Sequence, residues 1–325
     1  MERVAVIGLG NIAIRHRRNL KCLYPDSTLY AMSASGRIPD ESVENCDQVV
    51  SDVQMLIDAG VQLVIVASPA PFHARHAIPF IKAGIPVLIE KPIAASSEDA
   101  QAIADAVNQY QTPAGVGYCL RYLPSSRRIR ELLRSGTIGH LYNVFIETGQ
   151  YLPDWRPAKD FRESVSANAH LGGGALLELS HELDYCQWLL GALDVRHAIL
   201  RSSDELSLSV EDSADIISMT QHQAVVNIHL DFLQRKARRK CRITGSQGAL
   251  DWDLIRNEVT LSSADGGCEI IYSEPEWDKN LMYLNMLKAF IQQITDPQTE
   301  PENLASVEDA VKTVRLIEQI KQVAD

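Results

Sequence analysis

The chain opens with an apolar strand that runs directly into a glycine-rich turn. Val4-Ala5-Val6-Ile7 is followed without a gap by Gly8-Leu9-Gly10-Asn11-Ile12-Ala13. In this GxGxxA pattern the first glycine permits a tight turn, the second lets backbone approach a pyrophosphate, and the alanine lets a helix pack closely. A helix over residues 11–23 would offer its N-terminal amides to the phosphates. We therefore predict dinucleotide binding through Gly8, Gly10, Asn11 and Ile12.

The second predicted strand, Thr28–Met32, ends where an NAD enzyme usually has an acidic residue for the ribose 2′-hydroxyl. The residues that follow it, Ser33-Ala34-Ser35-Gly36-Arg37, include no carboxylate. Two hydroxyls and a guanidinium favour a 2′-phosphate, which an acid would repel. We predict NADP or NAD as the cofactor, with NADP favoured, and contacts from Ser33, Ser35 and Arg37. The alternative is a polar loop in which Arg37 is solvated.

Strands and helices then alternate with short connections. Apolar runs at Gln62–Ala67, Val87–Ile89 and Ala114–Tyr118 predict buried parallel strands. Ser96 and Asp99 have the spacing of a capping box, which predicts the start of the helix before the last of these strands. This alternation predicts a doubly wound parallel sheet.

Three polar or turn-forming residues follow the strand at Gln62–Ala67. They are Ser68, Pro69 and, at the start of the next helix, His73. A histidine there can line a cofactor site, and we predict cofactor contacts from all three residues. Helix packing or a local hydrogen bond is the alternative for His73.

Two charged residues follow the apolar strand Val87–Ile89 directly, in the sequence Glu90-Lys91-Pro92. Ligands of an open α/β sheet bind outside the carboxyl ends of its strands. The proline disfavours the α region at Lys91, so Lys91 continues the direction of the strand. We predict that Glu90 and Lys91 belong to the cofactor site. On these residues alone, the alternative is a surface ion pair between them.

Beyond about residue 120 the pattern changes, and strand-like runs appear one after another. Val226, Ile228 and Leu230 alternate with more polar residues, which indicates a sheet with one buried face. Consecutive strands favour an α+β domain with a mostly antiparallel sheet, and its open face is a candidate oligomer interface. We therefore divide the chain into residues 1–120 and 121–325. The predicted strands are Tyr142–Thr148, Val195–Ser202, Asp215–Thr220, Ala224–Phe232, Arg239–Thr244 and Glu269–Tyr272, and helices are predicted at Leu281–Ile294 and Val307–Val323.

Three glycines, Gly172-Gly173-Gly174, precede a predicted helix that carries acid–base groups. Glu178, His181 and Asp184 fall at i, i+3 and i+6, which places them near one face of that helix. A histidine flanked by carboxylates can exchange protons near neutral pH. The alternative is a packed helix with a solvated charged stripe.

A second polar and aromatic cluster lies just upstream, at residues 151–163. Aromatic faces with guanidinium and carboxylate groups often bind sugar hydroxyls or phosphates. We predict substrate contacts from Trp155, Arg156 and Asp160. Trp155 could instead be an anchor of the core.

Composition excludes several classes of function. The net charge of −11 and pI of about 5.3 argue against binding of nucleic acid or an anionic membrane. The six cysteines have no CxxC pair and no zinc spacing, so we predict free thiols and no metal site. The strand that begins just after Met1 leaves no room for a signal peptide, and we predict a soluble, cytoplasmic protein.

The motifs together resemble the glucose–fructose oxidoreductase / inositol dehydrogenase (Gfo/Idh/MocA) family. Glu90-Lys91-Pro92 is the most diagnostic motif, and the likeness spans nearly the whole chain. The resemblance implies a Rossmann domain followed by a domain with a large open sheet, assembled as a homodimer or homotetramer. The other matching segments are Gly8–Ala13 with Arg15-His16, Ser68-Pro69 to His73, Ala83–Ile89, Arg121-Tyr122-Leu123-Pro124, Gly136–Gly139 and the glycine run through His181 to Asp184.

The resemblance also assigns roles to single residues. Lys91 matches the family lysine that contacts nicotinamide and the substrate hydroxyl, and His181 matches the histidine proposed as acid and base. The family often has an aspartate four residues before that histidine. Here that position is Leu177, with Glu178 one place later. The residues predicted to contact substrate are Tyr118, Arg121, Tyr122, Trp155, Arg156, Asp160, Glu178 and His181.

The predicted reaction is hydride transfer between nicotinamide and a hydroxyl or keto carbon of a sugar, cyclitol or sugar derivative. The arginines in the predicted site favour an acidic sugar or a nucleotide sugar. In this prediction Lys91 and His181 form a catalytic pair across a domain crevice. A sensor that binds nucleotide without catalysis, and an aldehyde or imine reductase, are the alternatives. A sensor would need neither Lys91 nor His181, so their presence favours an enzyme.

Overall fold

The computed structural model describes residues 1–296, 298, 301 and 303–324. These residues form two compact units. The first unit contains Met1–Cys119 and Asn280–Val314, and the second contains Leu120–Lys279 and Arg315–Asp325.

The first unit is built on a six-stranded sheet in the order β3-β2-β1-β4-β5-β6, and every strand pair in it is parallel. The strand order reverses between β1 and β4, where ligands of doubly wound sheets bind. The predicted Rossmann sheet is confirmed. Its strands are β1 (Arg3–Ile7), β2 (Thr28–Met32), β3 (Gln48–Val50), β4 (Val64–Val66), β5 (Val87–Ile89) and β6 (Ala114–Val116), and its first helices are α1 (Asn11–Leu23), α2 (Val53–Asp58), α3 (His73–Lys82) and α4 (Ser97–Tyr110).

The central strands are short and apolar because helices cover both faces of the sheet. The residues of β4 and β5 are wholly or almost wholly buried. The predicted cap of α4 is confirmed, since Ser96 Oγ accepts a hydrogen bond from the Asp99 N–H at 3.2 Å. The parallel strands bring their carboxyl ends, and the residues that follow them, to one edge of the sheet.

The second unit contains an eight-stranded sheet in the order β14-β13-β12-β11-β7-β10-β9-β8. All its strand pairs are antiparallel except β7 with β10, so the prediction of a large, mostly antiparallel sheet is confirmed. The strands are β7 (Leu141–Gly149), β8 (Leu193–Arg201), β9 (Ser213–Thr220), β10 (Val225–Asp231), β11 (Arg238–Gly245), β12 (Gly248–Asp253), β13 (Glu258–Ser263) and β14 (Cys268–Ser273), and the helices are α5 (Pro124–Arg134), α6 (Ala175–Glu178) and α7 (His181–Leu190).

The sheet of the second unit has one buried and one open face. Val226, Ile228 and Leu230 of β10 are buried, as their alternation predicts. On the open face Phe145 and Ile217 both pair with the same residue of β10, so they lie in one row across three strands. Their exposed fractions, 52% and 42%, are large for apolar side chains.

The segment after β14 returns to the first unit. It contains α8 (Asn280–Thr295) and α9 (Val307–Val323), which agree with the helices predicted there, and the boundary between the units falls within α9. The N–H of Val116 donates to the carbonyl of Ala305 at 3.0 Å, and Phe290 of α8 packs beside Gly115. No helix in the described ranges is long and apolar enough to span a membrane.

Candidate functional site

The turn between β1 and α1 has the geometry of a phosphate-binding loop. Gly8 has φ +118°, and a Cβ there would lie 2.3 Å from the Ala67 carbonyl oxygen, so only glycine fits. Gly10 precedes α1, and a Cβ at Gly10 would meet no described atom within 4 Å. Within the described chain no side chain caps α1, whose first turn begins with Asn11 and Ile12. The first amides of α1 therefore fit the pyrophosphate of a dinucleotide.

The loop after β2 collects hydroxyl and guanidinium groups. The Oγ atoms of Ser33 and Ser35 lie 3.5 Å apart, and Ser35 Oγ accepts from the Arg37 N–H at 3.4 Å. Arg75 of α3 donates to the carbonyl of Ala34 at 2.7 Å. Sequence reasoning missed Arg75, because only the tertiary fold brings this residue to a loop 41 positions away in the chain.

Two histidines of α3 are held by groups near the end of β4. His73 is buried, with Nε2 2.6 Å from the Ser68 carbonyl oxygen and Nδ1 3.0 Å from that of Pro92. Burial lowers the pKa of His73. His76 Nδ1 lies 2.9 Å from Ser68 Oγ, and burial lowers its pKa to about 4, so His76 is neutral at pH 7. Pro69 directly precedes the helical turn that leads into α3. These contacts agree with the local hydrogen-bond alternative for His73.

The end of β5 contains a buried carboxylate and a partly exposed lysine. Glu90 Oε1 lies 2.6 Å from Nε2 of His16, and Glu90 Oε2 accepts from the backbone N–H of Lys91 at 3.1 Å. Burial raises the pKa of Glu90. The hydrogen bond and charge of His16, together with the Lys91 N–H, lower this pKa by more, so the pKa of Glu90 lies below the ordinary value. Glu90 is thus not part of a surface ion pair. A Cβ at Gly117 would lie 3.0 Å from its carboxyl group.

The glycine-led segment of the second unit differs from the single helix that we predicted. Helix α6 is one turn long, and α7 begins at His181. The prediction that Glu178, His181 and Asp184 share one helix face is wrong, because the backbone leaves helical geometry at Leu179, with φ −95° and ψ 27°. Glu178 instead accepts from Ser166 Oγ at 3.2 Å.

The glycines before α6 make room for neighbouring groups. A Cβ at Gly173 would lie 2.6 Å from the Val165 carbonyl oxygen. At Gly174, with φ +106°, it would lie 2.5 Å from Glu211 Oε1, which accepts from the Leu176 N–H. Sequence reasoning missed Glu211, which lies 35 positions from the amide that it binds. These glycines are explained by packing within the unit.

We expect Gly174→Ala to lower the free energy of unfolding by about 1–3 kcal/mol from backbone strain alone, and further through the clash with Glu211. Gly136→Ala is the matched control, since Gly136 has φ +69° and no described atom within 4 Å of its Cβ position. Urea unfolding of the two variants separates strain from clash. Equal losses would contradict the packing role of Gly174.

His181 is the first residue of α7 and is 9% exposed. One turn later, Asp184 accepts two hydrogen bonds from Arg121, at 2.9 Å from Nε and 2.6 Å from Nη2. Both side chains of this ion pair are buried, at 3% and 1% exposure. A substrate group that bound Arg121 would compete with Asp184.

The remaining residues predicted to contact substrate have varied environments. Trp155 is half-buried, donates from Nε1 to the Gln150 carbonyl at 3.2 Å and packs edge-on against Phe232. Asp160 accepts from the Arg162 N–H, and Arg156 is exposed. Burial raises the pKa of Tyr122, and Tyr118 is buried just after β6.

The parallel sheet, the glycine turn and the charged end of β5 define an NAD-binding Rossmann protein. The chain belongs to the GFO/IDH/MocA oxidoreductase family. The family model described as "Oxidoreductase family, NAD-binding Rossmann fold" matches residues 2–118, and the model of the GFO/IDH/MocA C-terminal domain matches residues 126–251. The resemblance seen in the sequence is confirmed.

Similar proteins include dehydrogenases of cyclitols and sugars. The chain is 29% identical over 166 residues to the rhizopine catabolism protein MocA of Rhizobium meliloti. This match covers 50% of this chain and about half (49%) of that relative. This chain is also 28% identical over 278 residues to inositol 2-dehydrogenase 1 of Saccharopolyspora erythraea, a match that covers 82% of this chain and 77% of that relative. The solved structure of levoglucosan dehydrogenase in complex with NADH and levoglucosan superposes with a TM-score of 0.84 at 19% identity. The superposition covers 99% of this chain and 96% of that structure.

Proposed function

We propose that the protein transfers a hydride between a nicotinamide cofactor and a hydroxyl or keto carbon of a sugar, cyclitol or sugar derivative. The observation that carries this proposal is the position of Lys91. It follows β5 at the same edge of the parallel sheet as the glycine turn after β1. A buried carboxylate holds its backbone N–H. The substrates named for the relatives support the substrate class.

The cofactor, when bound, accepts or supplies the hydride at C4 of its nicotinamide ring. In the oxidation direction His181 accepts the proton of the substrate hydroxyl, and in reduction it returns that proton to the carbonyl oxygen. The Lys91 ammonium stabilises the negative charge that develops on the same oxygen. The carbon therefore loses a hydride and the oxygen loses a proton, which balances the oxidation.

His181 is the first residue of α7, and an imidazole in its neutral form has the lone pair that accepts a proton. The ion pair of Arg121 with Asp184 holds the same helix in place one turn further on.

A spectrophotometric screen tests the proposal. Oxidised cofactor and a panel of cyclitols, sugars, sugar acids and nucleotide sugars are mixed with the protein, and absorbance of the reduced nicotinamide is followed. We expect turnover of at least one polyol. Arg156 is exposed and available to an anionic group, so we include acidic and nucleotide sugars among the proposed substrates. Cofactor binding without turnover of any compound, in either direction, would favour the sensor.

We propose NADP as the preferred cofactor and expect NADPH to bind about tenfold or more tightly than NADH. The loop after β2 offers Ser33, Ser35 and Arg37 to a 2′-phosphate, and Arg75 adds a second cation. Fluorescence titration with both cofactors measures the preference. Arg37→Ser should remove most of it, whereas Arg18→Ser, at an exposed arginine of α1, should not. Tighter binding of NADH by the native protein would contradict this preference.

We further propose that the protein is a cytoplasmic homodimer or homotetramer that associates through the open face of the eight-stranded sheet. The exposed row that contains Phe145 and Ile217 supports this surface. The proposed division of labour follows the predicted domains, with cofactor binding in residues 1–120 and substrate binding in residues 121–325.

A further inference from the structure

Two buried histidines contact the two sides of the segment that contains Lys91. His16 of α1 contacts the side chain of Glu90, and His73 of α3 contacts the backbone just after Lys91. All these residues belong to the first unit. The mechanism proposed above uses neither ring.

His16 acts through the carboxylate of Glu90. Its ring is wholly buried, its Nε2 lies 2.6 Å from Glu90 Oε1, and the other carboxylate oxygen accepts the Lys91 N–H. Glu90 thus links the imidazole to the backbone of Lys91. The carboxyl group lies against Gly117, where a Cβ would be 3.0 Å from it, so the absence of a side chain there makes room for the carboxylate. The ring of Tyr283 from α8 packs edge-on against His16, with centroids 6.2 Å apart.

His73 acts on the other side, between the segments that follow β4 and β5. Its Nε2 lies 2.6 Å from the Ser68 carbonyl oxygen. Its Nδ1 lies 3.0 Å from the carbonyl oxygen of Pro92 and 3.2 Å from that of Ile93. The neutral ring donates one hydrogen bond, either from Nε2 to Ser68 or from Nδ1 to Pro92, and in both cases it fills the space between the two segments.

We propose that His16 and His73 are positioning residues that fix the backbone of Lys91, His16 through Glu90 and His73 through Pro92. A shift of about 1 Å in a catalytic group can lower a rate about 10²-fold, so this support bears directly on turnover. The inference rests on the proposed function of Lys91 for its effect on rate. Its structural part, the placement of the Lys91 side chain, is independent of any substrate.

The first experiment measures the placement of Lys91 directly. The native protein, His16→Leu and His73→Leu are each treated briefly with acetic anhydride, and acetylation of Lys91 is measured by peptide mass spectrometry relative to exposed Lys82. We expect a several-fold change in the ratio in both variants. His16→Gln should return the ratio toward the native value, because its amide can still donate to Glu90. His222→Leu, at an exposed histidine, is the control. Ratios that equal the native ratio in both leucine variants would overturn the proposal.

The second experiment measures rate with a substrate found in the screen. We expect His16→Leu to lower kcat about 10²-fold while KM and the Kd of NAD(P)H change by a few-fold. In a Lys91→Met background the same substitution should have little further effect, because both act through one group.

If Lys91→Met itself keeps normal turnover, the proposed function fails. If Lys91→Met is inactive but His16→Leu keeps native kcat, only the positioning role fails. If the leucine variants do not fold, they are replaced by His16→Asn, whose amide stops at the position of Nδ1, and by His73→Gln, whose amide takes the place of Nε2. Native acetylation ratios and native kcat in both of these variants would overturn the proposal.

Discussion

Replacing Lys91 by methionine will lower kcat by about 10²–10³-fold or more while leaving the Kd of the cofactor within a few-fold of the native value. Methionine keeps most of the length and the apolar stem of the side chain but removes the ammonium that stabilises charge on the substrate oxygen. The glycine turn and the first amides of α1, which fit the pyrophosphate, lie on other segments and remain intact. Steady-state kinetics and fluorescence titration measure the two quantities.

The matched control is Lys82→Met, since Lys82 is an exposed lysine at the end of α3. It should leave both kcat and Kd unchanged. Lys91→Arg adds a sharper comparison, because arginine keeps the charge but presents it as a larger planar group. Partial activity in this variant would show that charge and shape both matter. Native turnover of Lys91→Met would rule out the mechanism.

Replacing Asp184 by alanine will lower the free energy of unfolding by about 3–5 kcal/mol. The substitution leaves the guanidinium of Arg121 buried without the two hydrogen bonds that it donates to this carboxylate. Removing the carboxylate partner of a buried guanidinium is costly, whereas burial of the intact pair is tolerated. Urea denaturation followed by circular dichroism measures the loss.

Asp160→Ala is the control for this prediction. The pair of Asp160 with Arg162 is exposed, at 50% and 62%, so its loss should cost about 1 kcal/mol or less. The double variant Arg121→Met/Asp184→Leu should recover much of the stability, because it removes both charges together. A loss below about 1 kcal/mol for Asp184→Ala would contradict a structural role. Such a small loss would favour the predicted role of Arg121 in substrate binding.

Most strands that sequence reasoning found have uninterrupted or alternating apolar residues. Strands β3, β12 and β13 were missed. In β12, Asp251 and Asp253 alternate with buried Leu250 and Trp252, and they pair across strands with Arg242 at 3.4 Å and Lys240 at 3.2 Å. A charged residue in a strand is stabilised by its cross-strand partner, and a linear pattern does not contain that partner. Helix α5, with two consecutive arginines, was missed as well.

The candidate site also contains features that follow from neighbouring residues and contacts that depend on the tertiary fold. The glycine turn is local, so its geometry follows from six consecutive residues. The contact of His16 with Glu90 joins positions 74 apart, and the pair of Arg121 with Asp184 joins positions 63 apart. Their partners are chosen by the tertiary fold, which residue spacing does not encode. The break at Leu179 was also missed, because a helical pattern of side chains continues through it.

The return of α8 to the first unit has a consequence for biosynthesis. Ala305 and four residues of α9 belong to a core whose other members precede residue 120, and residues 120–279 of the second unit lie between these two parts in the chain. A ribosome adds about 5–20 residues per second, so the last part of this core emerges roughly 10–40 s after Cys119. Throughout that interval β6 lacks its partner at Ala305. The last part of this core is therefore synthesised only after residues 120–279, and the unfinished apolar edge is the surface that a chaperone would meet on the nascent chain.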